Sequence, residues 1–133
     1  MSTAGSGQDE RAARPEDLGR LVVERLNAGD VEGLVSLYEP GAVLALPGGG
    51  QAAGRAEIRR AYEQLLADRP QFTPGEQQPV LRSGDLALTA VLLPDGGATV
   101  EVARRQPDGT WLWVIDQPAF PARPPSPKVT EGR

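Results

Sequence analysis

In the run Thr99-Val100-Glu101-Val102-Ala103 a carboxylate alternates with valines. On a strand, such alternation turns Glu101 away from the valines and onto the face shared by Thr99 and Ala103. Burial there would raise its pKa, leaving a carboxyl able to donate a hydrogen bond or act as an acid. A second carboxylate, Asp116, shares one strand face with Val114, while Trp111, Trp113 and Ile115 take the other. These two acids matter because so little else in the chain can move a proton. Histidine and cysteine are absent, and Lys128 is the sole lysine among fourteen basic residues. That excludes serine–histidine triads, thiolate nucleophiles, thiolate or imidazole zinc sites and disulfides. A Schiff-base lysine is disfavoured, because Lys128 lies in a Pro-rich end. Proton transfer falls to Asp, Glu and the only two tyrosines, Tyr38 and Tyr62. No cofactor and no metal is expected.

The bland alternatives stand beside these readings. Glu101 could lie on a solvated face, pairing with Arg104 or Arg105 across a rim. Asp116 could end its strand and bond a backbone amide near Gln117-Pro118. The Arg55, Arg59 and Arg60 cluster reads as the solvated face of a helix. Pro47-Gly48-Gly49-Gly50 lacks the Lys-Ser/Thr of a phosphate-binding loop and the spacing of a dinucleotide fingerprint. It reads instead as a flap over a pocket mouth.

The elements that must position these groups follow from periodicity. Residues 1–14 are small, polar and aperiodic and are expected to form a disordered lead. The end from Pro121, PARPPSPKVTEGR, is expected to be a Pro-rich extended tail. The folded part is then 15–120. Leu18, Leu21, Val22 and Leu26 recur at helical spacing, with Gly29 as the stop and Asp30 as the next cap. Val31, Leu34, Val35 and Tyr38 form a second stripe, which Pro40-Gly41 ends. Ala42–Leu46 reads as a short buried strand. Ile58, Ala61, Tyr62, Leu65 and Leu66 mark a third helix after Gly54. Residues 71–81 are a weak strand candidate, since Pro74 and Pro79 confine them to an edge. Asp85–Leu93, Ala98–Arg105 and Thr110–Gln117 read as strands joined by the tight turns Pro94-Asp95-Gly96-Gly97 and Pro107-Asp108-Gly109. The order predicts an α+β fold, three helices packed on a strongly curved, mainly antiparallel sheet.

Tyr38 and Tyr62 both fall on apolar helical stripes, where a tyrosine is a core aromatic with a satisfied hydroxyl. At 133 residues the chain is one domain. Its net charge of −4 and pI near 4.8 do not indicate a nucleic-acid surface. No apolar run suffices to span a membrane, and the first residues lack a signal-peptide core. A cytoplasmic location is expected.

The run LNAGDVEGLVSLYEPGAVLALPGGGQAAGRAEIRRAYEQLL (26–66) resembles the first half of SnoaL-like and ketosteroid-isomerase-like proteins of the nuclear-transport-factor-two-like superfamily. DGTWLWVIDQP (108–118) resembles the penultimate turn and last strand of the same group. The resemblance implies a cone-shaped barrel enclosing an apolar pocket, and homodimers through the outer sheet face, where Trp111 and Trp113 would lie unless they pack under a helix. It places Tyr38, Tyr62, Val22, Leu46 and Val114 around a small apolar ligand. It also puts Leu46 where ketosteroid isomerases carry their Asp base, and Val22 where they carry their oxyanion tyrosine. Steroid isomerisation by that mechanism is therefore rejected, since an isobutyl group cannot remove a proton. The family's protonated Asp falls on Glu101. With Asp116 on the neighbouring strand, one cavity would hold an acid and a base with pKa values split apart. Two functions follow: a cofactor-free isomerase, cyclase or hydratase (or an epoxide-hydrolase-like enzyme) acting on an apolar oxygenated metabolite, or a non-catalytic ligand-binding or oligomerisation module.

Overall fold

The computed structural model describes residues 10–120. The expected lead before residue 10 and the tail from Pro121 lie outside the described residues. Three helices come first: α1 (Asp17–Ala28), α2 (Val31–Val35) and, after a hairpin, α3 (Arg55–Leu65). Two strands make that hairpin, β1 (Tyr38–Ala45) and β2 (Gln51–Ala53). The remaining strands are β3 (Glu76–Gln77), β4 (Leu81–Ser83), β5 (Leu86–Leu92), β6 (Ala98–Arg105) and β7 (Trp111–Phe120). One curved, unclosed sheet runs β2-β1-β7-β6-β5-β3, with β4 also pairing β5. All pairs are antiparallel except β1 with β7.

The local causes are simple. Gly29 takes φ 68° to close α1, and the Asp30 carboxylate accepts from Gly33 N at 2.9 Å to open α2. Leu18 and Leu21 of α1, Leu34 of α2 and Ile58 of α3 are fully buried against the concave sheet face. Ala87 and Ala103, directly paired on β5 and β6, keep that face low under the helices. Asp95 and Asp108 accept backbone N–H bonds inside the two turns that link β5, β6 and β7. Among the described residues no helix is long and apolar enough to cross a membrane.

The structure corrects the expected elements at five places. First, the fold starts before Pro15: Ala12 is buried and its carbonyl accepts from Trp111 N at 2.9 Å, a bridge to β7. Second, α2 stops at Val35, and Tyr38 opens a strand rather than closing a helix. Its partner there is Trp113 on β7, and the parallel register slips between Tyr38 and Val43, which accommodates Pro40. Third, Pro47–Gly50 is the turn of the β1–β2 hairpin, closed by Leu46 N to Gly50 O at 2.8 Å, with Gly48 and Gly49 at φ 87° and 104°. Fourth, residues 71–81 hold only the short β3 and part of β4. Gly75 lies so close to β5 that a Cβ would meet Leu92 O at 2.3 Å.

The fifth correction concerns β7. Val102 pairs with Ile115, but the next residue, Ala103, pairs with Trp113. Val114 is therefore an extra residue, and the strand's alternation changes phase across it. Trp111 and Trp113 point inward with Asp116 and are buried, while Ile115 turns outward at 52% exposure. The tryptophans are core, not an outer dimer face. What the outer face presents is Leu86, Leu88, Leu92 and Ile115.

Candidate functional site

Glu101 and Asp116 are directly opposite one another in the β6–β7 ladder. Side chains at such positions stand about 5 Å apart at their Cβ atoms. Both are inward and buried, 5% and 4% exposed. They open into a cavity of about 560 Å³ between α1 and the concave face, of the size that small organic ligands fill. Val22 and Val23 of α1 line it on one side, Tyr62 of α3 and Trp113 on another, and Phe72 near its entrance. Phe72 is pinned there by Asn27, whose Oδ1 accepts from Phe72 N at 2.7 Å and whose Nδ2 donates to Phe72 O at 3.0 Å.

Hydrogen bonds fix the acids. Thr89 of β5 is the Cα partner of Glu101, and its hydroxyl donates to Glu101 Oε1 at 2.6 Å. Tyr38 donates its only hydroxyl proton to Asp116 Oδ2 at 2.5 Å. The 2.6 Å contact between the two tyrosine hydroxyls must then be Tyr62 donating to Tyr38. A chain of donors thus runs from the cavity wall, Tyr62 to Tyr38 to Asp116. Tyr38 is itself held from two sides. Arg55 Nε and Nη2 grip its carbonyl at 2.9 and 2.6 Å, and the Trp113 ring lies 5.5 Å away, centre to centre.

Burial in this apolar setting disfavours charge. It pushes the Glu101 carboxyl above the ordinary range, against the pull of the Thr89 and Thr99 hydroxyls. Burial, and then the Glu101 charge, push Asp116 up to about 7, with the Tyr38 hydroxyl opposing. Burial and the neighbouring Asp116 charge hold Tyr38 and Tyr62 protonated. The result is one carboxyl poised near neutrality beside another that burial also favours neutral. That pair can exchange a proton with a bound molecule in either direction. Among the described residues no group of three or more acidic side chains is arranged to hold a metal ion.

The other expected pocket residues fall elsewhere. Leu46 lines a second hollow, of about 670 Å³, beside the β1–β2 hairpin with Pro47, Gly48, Gly49 and Ile115. Val114, the bulged residue, does not line the 560 Å³ cavity, and neither does the Pro-Gly turn once read as its flap. Tyr38 sits behind the wall, touching Asp116 and Tyr62. Arg55 is not part of a solvated cluster, since it clamps Tyr38; Arg59 does pair outward with Glu32 at 2.8 Å. Thr89, Trp113 and Phe72 were not read as site residues. Of these, Thr89 had a signal: a hydroxyl on the inward phase of an apolar strand.

Fold and cavity together define an α+β cone, helices on an unclosed curved sheet, with two buried acids in its cavity. Residues 20–117 match the family model described as SnoaL-like domain, and the chain belongs to that family. None of the curated proteins matches it. Among solved structures, a protein from Thiobacillus denitrificans ATCC 25259 named for a calcium/calmodulin-dependent protein kinase type II association domain is similar at TM-score 0.73 and 15% identity, covering 86% of this chain and all of that one. An NTF2-like family protein from Streptomyces avermitilis, named as a candidate dehydratase, aligns at TM-score 0.64 and 23% identity over 80% of this chain and 93% of that one. A ketosteroid isomerase-like protein from Erwinia carotovora atroseptica SCRI1043 aligns at 0.60 and 20%, over 76% and 89%. These likenesses establish the fold; identities this low carry no activity with them.

Proposed function

We propose that this SnoaL-like protein is a cofactor-free acid–base catalyst, performing isomerisation, cyclisation or addition and loss of water on a small, largely apolar, oxygenated molecule. The carrying observation is the directly paired Glu101 and Asp116, both buried at the end of one cavity and joined to Tyr62 through Tyr38. Glu101 acts as proton donor to a ligand oxygen. Asp116, poised near neutral pH, takes a proton from carbon or from water. Tyr38 and Tyr62 keep its carboxylate oriented and supply the hydrogen bonds that stabilise its charge. Trp113 adds an aromatic wall beside the acids, which fits the apolar body of such a ligand.

The test is turnover in D2O. A panel of β,γ-unsaturated and β-hydroxy ketones is incubated with the protein and followed by proton NMR. Double-bond migration, loss of water or deuterium uptake beside the carbonyl is expected, and is to be lost in Asp116→Asn. Ligands that bind without reacting would overturn the enzymatic reading.

A second reading has its own support. The positions of the isomerase base and oxyanion donor are Leu46 and Val22, and the outer sheet face exposes Leu86, Leu88 and Ile115. A binding module that pairs with a second copy through this face accounts for those features, and one similar structure is named for an association domain. Binding without turnover, together with a dimer by sedimentation, would favour it.

A further inference from the structure

We infer that the molecule this cavity selects carries a protonated amine on its apolar body, seated against the Glu101–Asp116 carboxyl pair; the inference rests on the cavity being the ligand site. The cavity lining is acidic. It includes the carboxyls of Glu16, Asp17, Glu24, Glu101 and Asp116 and only two guanidiniums, Arg14 and Arg20. The outer acids are each engaged, Asp17 with Arg14 at 3.4 Å, Glu24 with Arg20 at 3.2 Å and Glu16 with Arg82 of β4 at 3.8 Å, while Arg20 also meets Glu10, so the two inner carboxyls are the ones left without an arginine among the described residues. Among the described residues neither inner carboxyl has a cationic partner. Asp116 Oδ2 accepts from Tyr38, while its Oδ1 has no hydrogen-bond partner there, although the side chain is nearly fully buried. Buried carboxyls are either paired or neutralised by keeping a proton, and a cation carried by the ligand is the partner that would let Asp116 ionise inside the cavity.

The walls agree. Tyr62, Phe72 and Trp113 all line the space, and ring faces attract an ammonium group most strongly where water is excluded. An anionic ligand would meet two carboxyls and, among the described residues, no cation at the inner end. A neutral one would leave the carboxyl pair without a counter-charge. An ammonium against Asp116 holds that carboxylate ionised and leaves Glu101 as the proton donor to a neighbouring oxygen.

The titratable groups facing Asp116 are Glu101 on β6, Tyr38 on β1 and Tyr62 on α3. The entrance acids and arginines lie on or just before α1. Only the two inner carboxyls are raised toward neutral pH, so amine affinity should climb as pH rises through about 7.

Isothermal titration of the full chain with three matched probes tests this: 4-phenylbutylamine, 4-phenylbutanol and 4-phenylbutanoate, repeated with cyclohexyl in place of phenyl. At pH 8 the amine is expected to bind about tenfold or more tighter than the alcohol, and the carboxylate to give no heat. At pH 6 the preference should shrink, with proton release visible as a dependence of the heat on buffer. Asp116→Asn should erase the preference while sparing alcohol binding. Glu63→Gln, an equal change in net charge on the exposed face of α3, should leave it intact. Should the Asn variant lose its near-ultraviolet dichroism, Glu101→Gln carries the same comparison. Alcohol binding as tight as amine, or equal weakening by Glu63→Gln, would overturn the amine inference and leave the cavity as the ligand site. Failure of every probe to bind would overturn both.

Discussion

The two hollows of this protein differ in a way that volume conceals. The one beside the β1–β2 hairpin is the larger, about 670 Å³ against about 560 Å³. Its walls are Val43, Ala45, Leu46, Ile115 and a run of glycines, and Asp116 lines it too, but neither Glu101 nor either tyrosine does. The smaller hollow is lined by two buried acids and Tyr62, with Tyr38 and Thr89 behind them. What distinguishes a site from a gap is convergence of polar groups whose ionisation the surroundings have altered, not space.

The strongest way to break this contrast is to neutralise the inner acid. Asp116→Asn should lower turnover in the D2O assay about 10²–10⁴-fold, the range expected for removing a general base. Leu46→Ala, on the hairpin side, should leave it within about twofold. Equal losses from both would show that the two hollows do not differ as described.

Stability against pH sharpens the contrast next. Asp116 rises from its ordinary 3.8 to about 7 on folding. Its contribution is therefore fully present below about pH 4 and is lost as pH rises through 7, a change of about 4 kcal/mol at 1.36 kcal/mol per pKa unit. Glu101 acts in the same direction. The surface acids Glu10, Glu32 and Asp108 are held below their ordinary values by arginine or threonine partners and oppose this trend. Urea unfolding of the wild type and Asp116→Asn at pH 5 and pH 8 isolates the inner term: the variant should gain on the wild type at pH 8.

Smaller effects follow outward. Thr89→Val strips Glu101 Oε1 of its 2.6 Å donor and should cost about 1–3 kcal/mol by urea unfolding. Tyr62→Phe removes one donor from Tyr38 and should cost about 1 kcal/mol, with Asp116, read by carboxyl NMR, moving only slightly. At the hairpin, Gly49→Ala forces a side chain onto φ 104°, for about 1 kcal/mol of strain and no change in ligand affinity.

Much of the fold was legible because its signals are local. The stripes of α1 and α3, the Gly29 and Asp30 stops, and the Asp-Gly turns depend on residues within a few positions of one another. Glu101 was legible for the same reason, since its alternation with Val100 and Val102 continues unbroken through β6. Tyr38 was misplaced because its helical spacing from Val31, Leu34 and Val35 is fortuitous. Pairing with Trp113, seventy-five positions on, decides its state, and no local period reports that. Leu46 and Val114 were drawn into the site by analogy of position. The tight Leu46–Gly50 turn carries one toward the hairpin hollow, and the bulge removes the other. The Tyr62–Tyr38–Asp116 chain was beyond reach because it joins three elements whose spacing only the folded sheet sets.

The bulge at Val114 divides β7 into two phases. Upstream of it, β7 reaches its turn with Trp113 in phase with Ala103; downstream, Asp116 is in phase with Glu101. Trp113 and Asp116, three positions apart, would take opposite faces of a regular strand; the extra residue between them lets both face the helices, and its loss would leave Trp113, Ile115 and Asp116 opposite Ala103, Val102 and Glu101 as they are now. A single in-frame loss of that codon would therefore straighten the strand and leave the acid pair facing as it is. The acid's place in the cavity is set by its partner on β6 rather than by its count along β7.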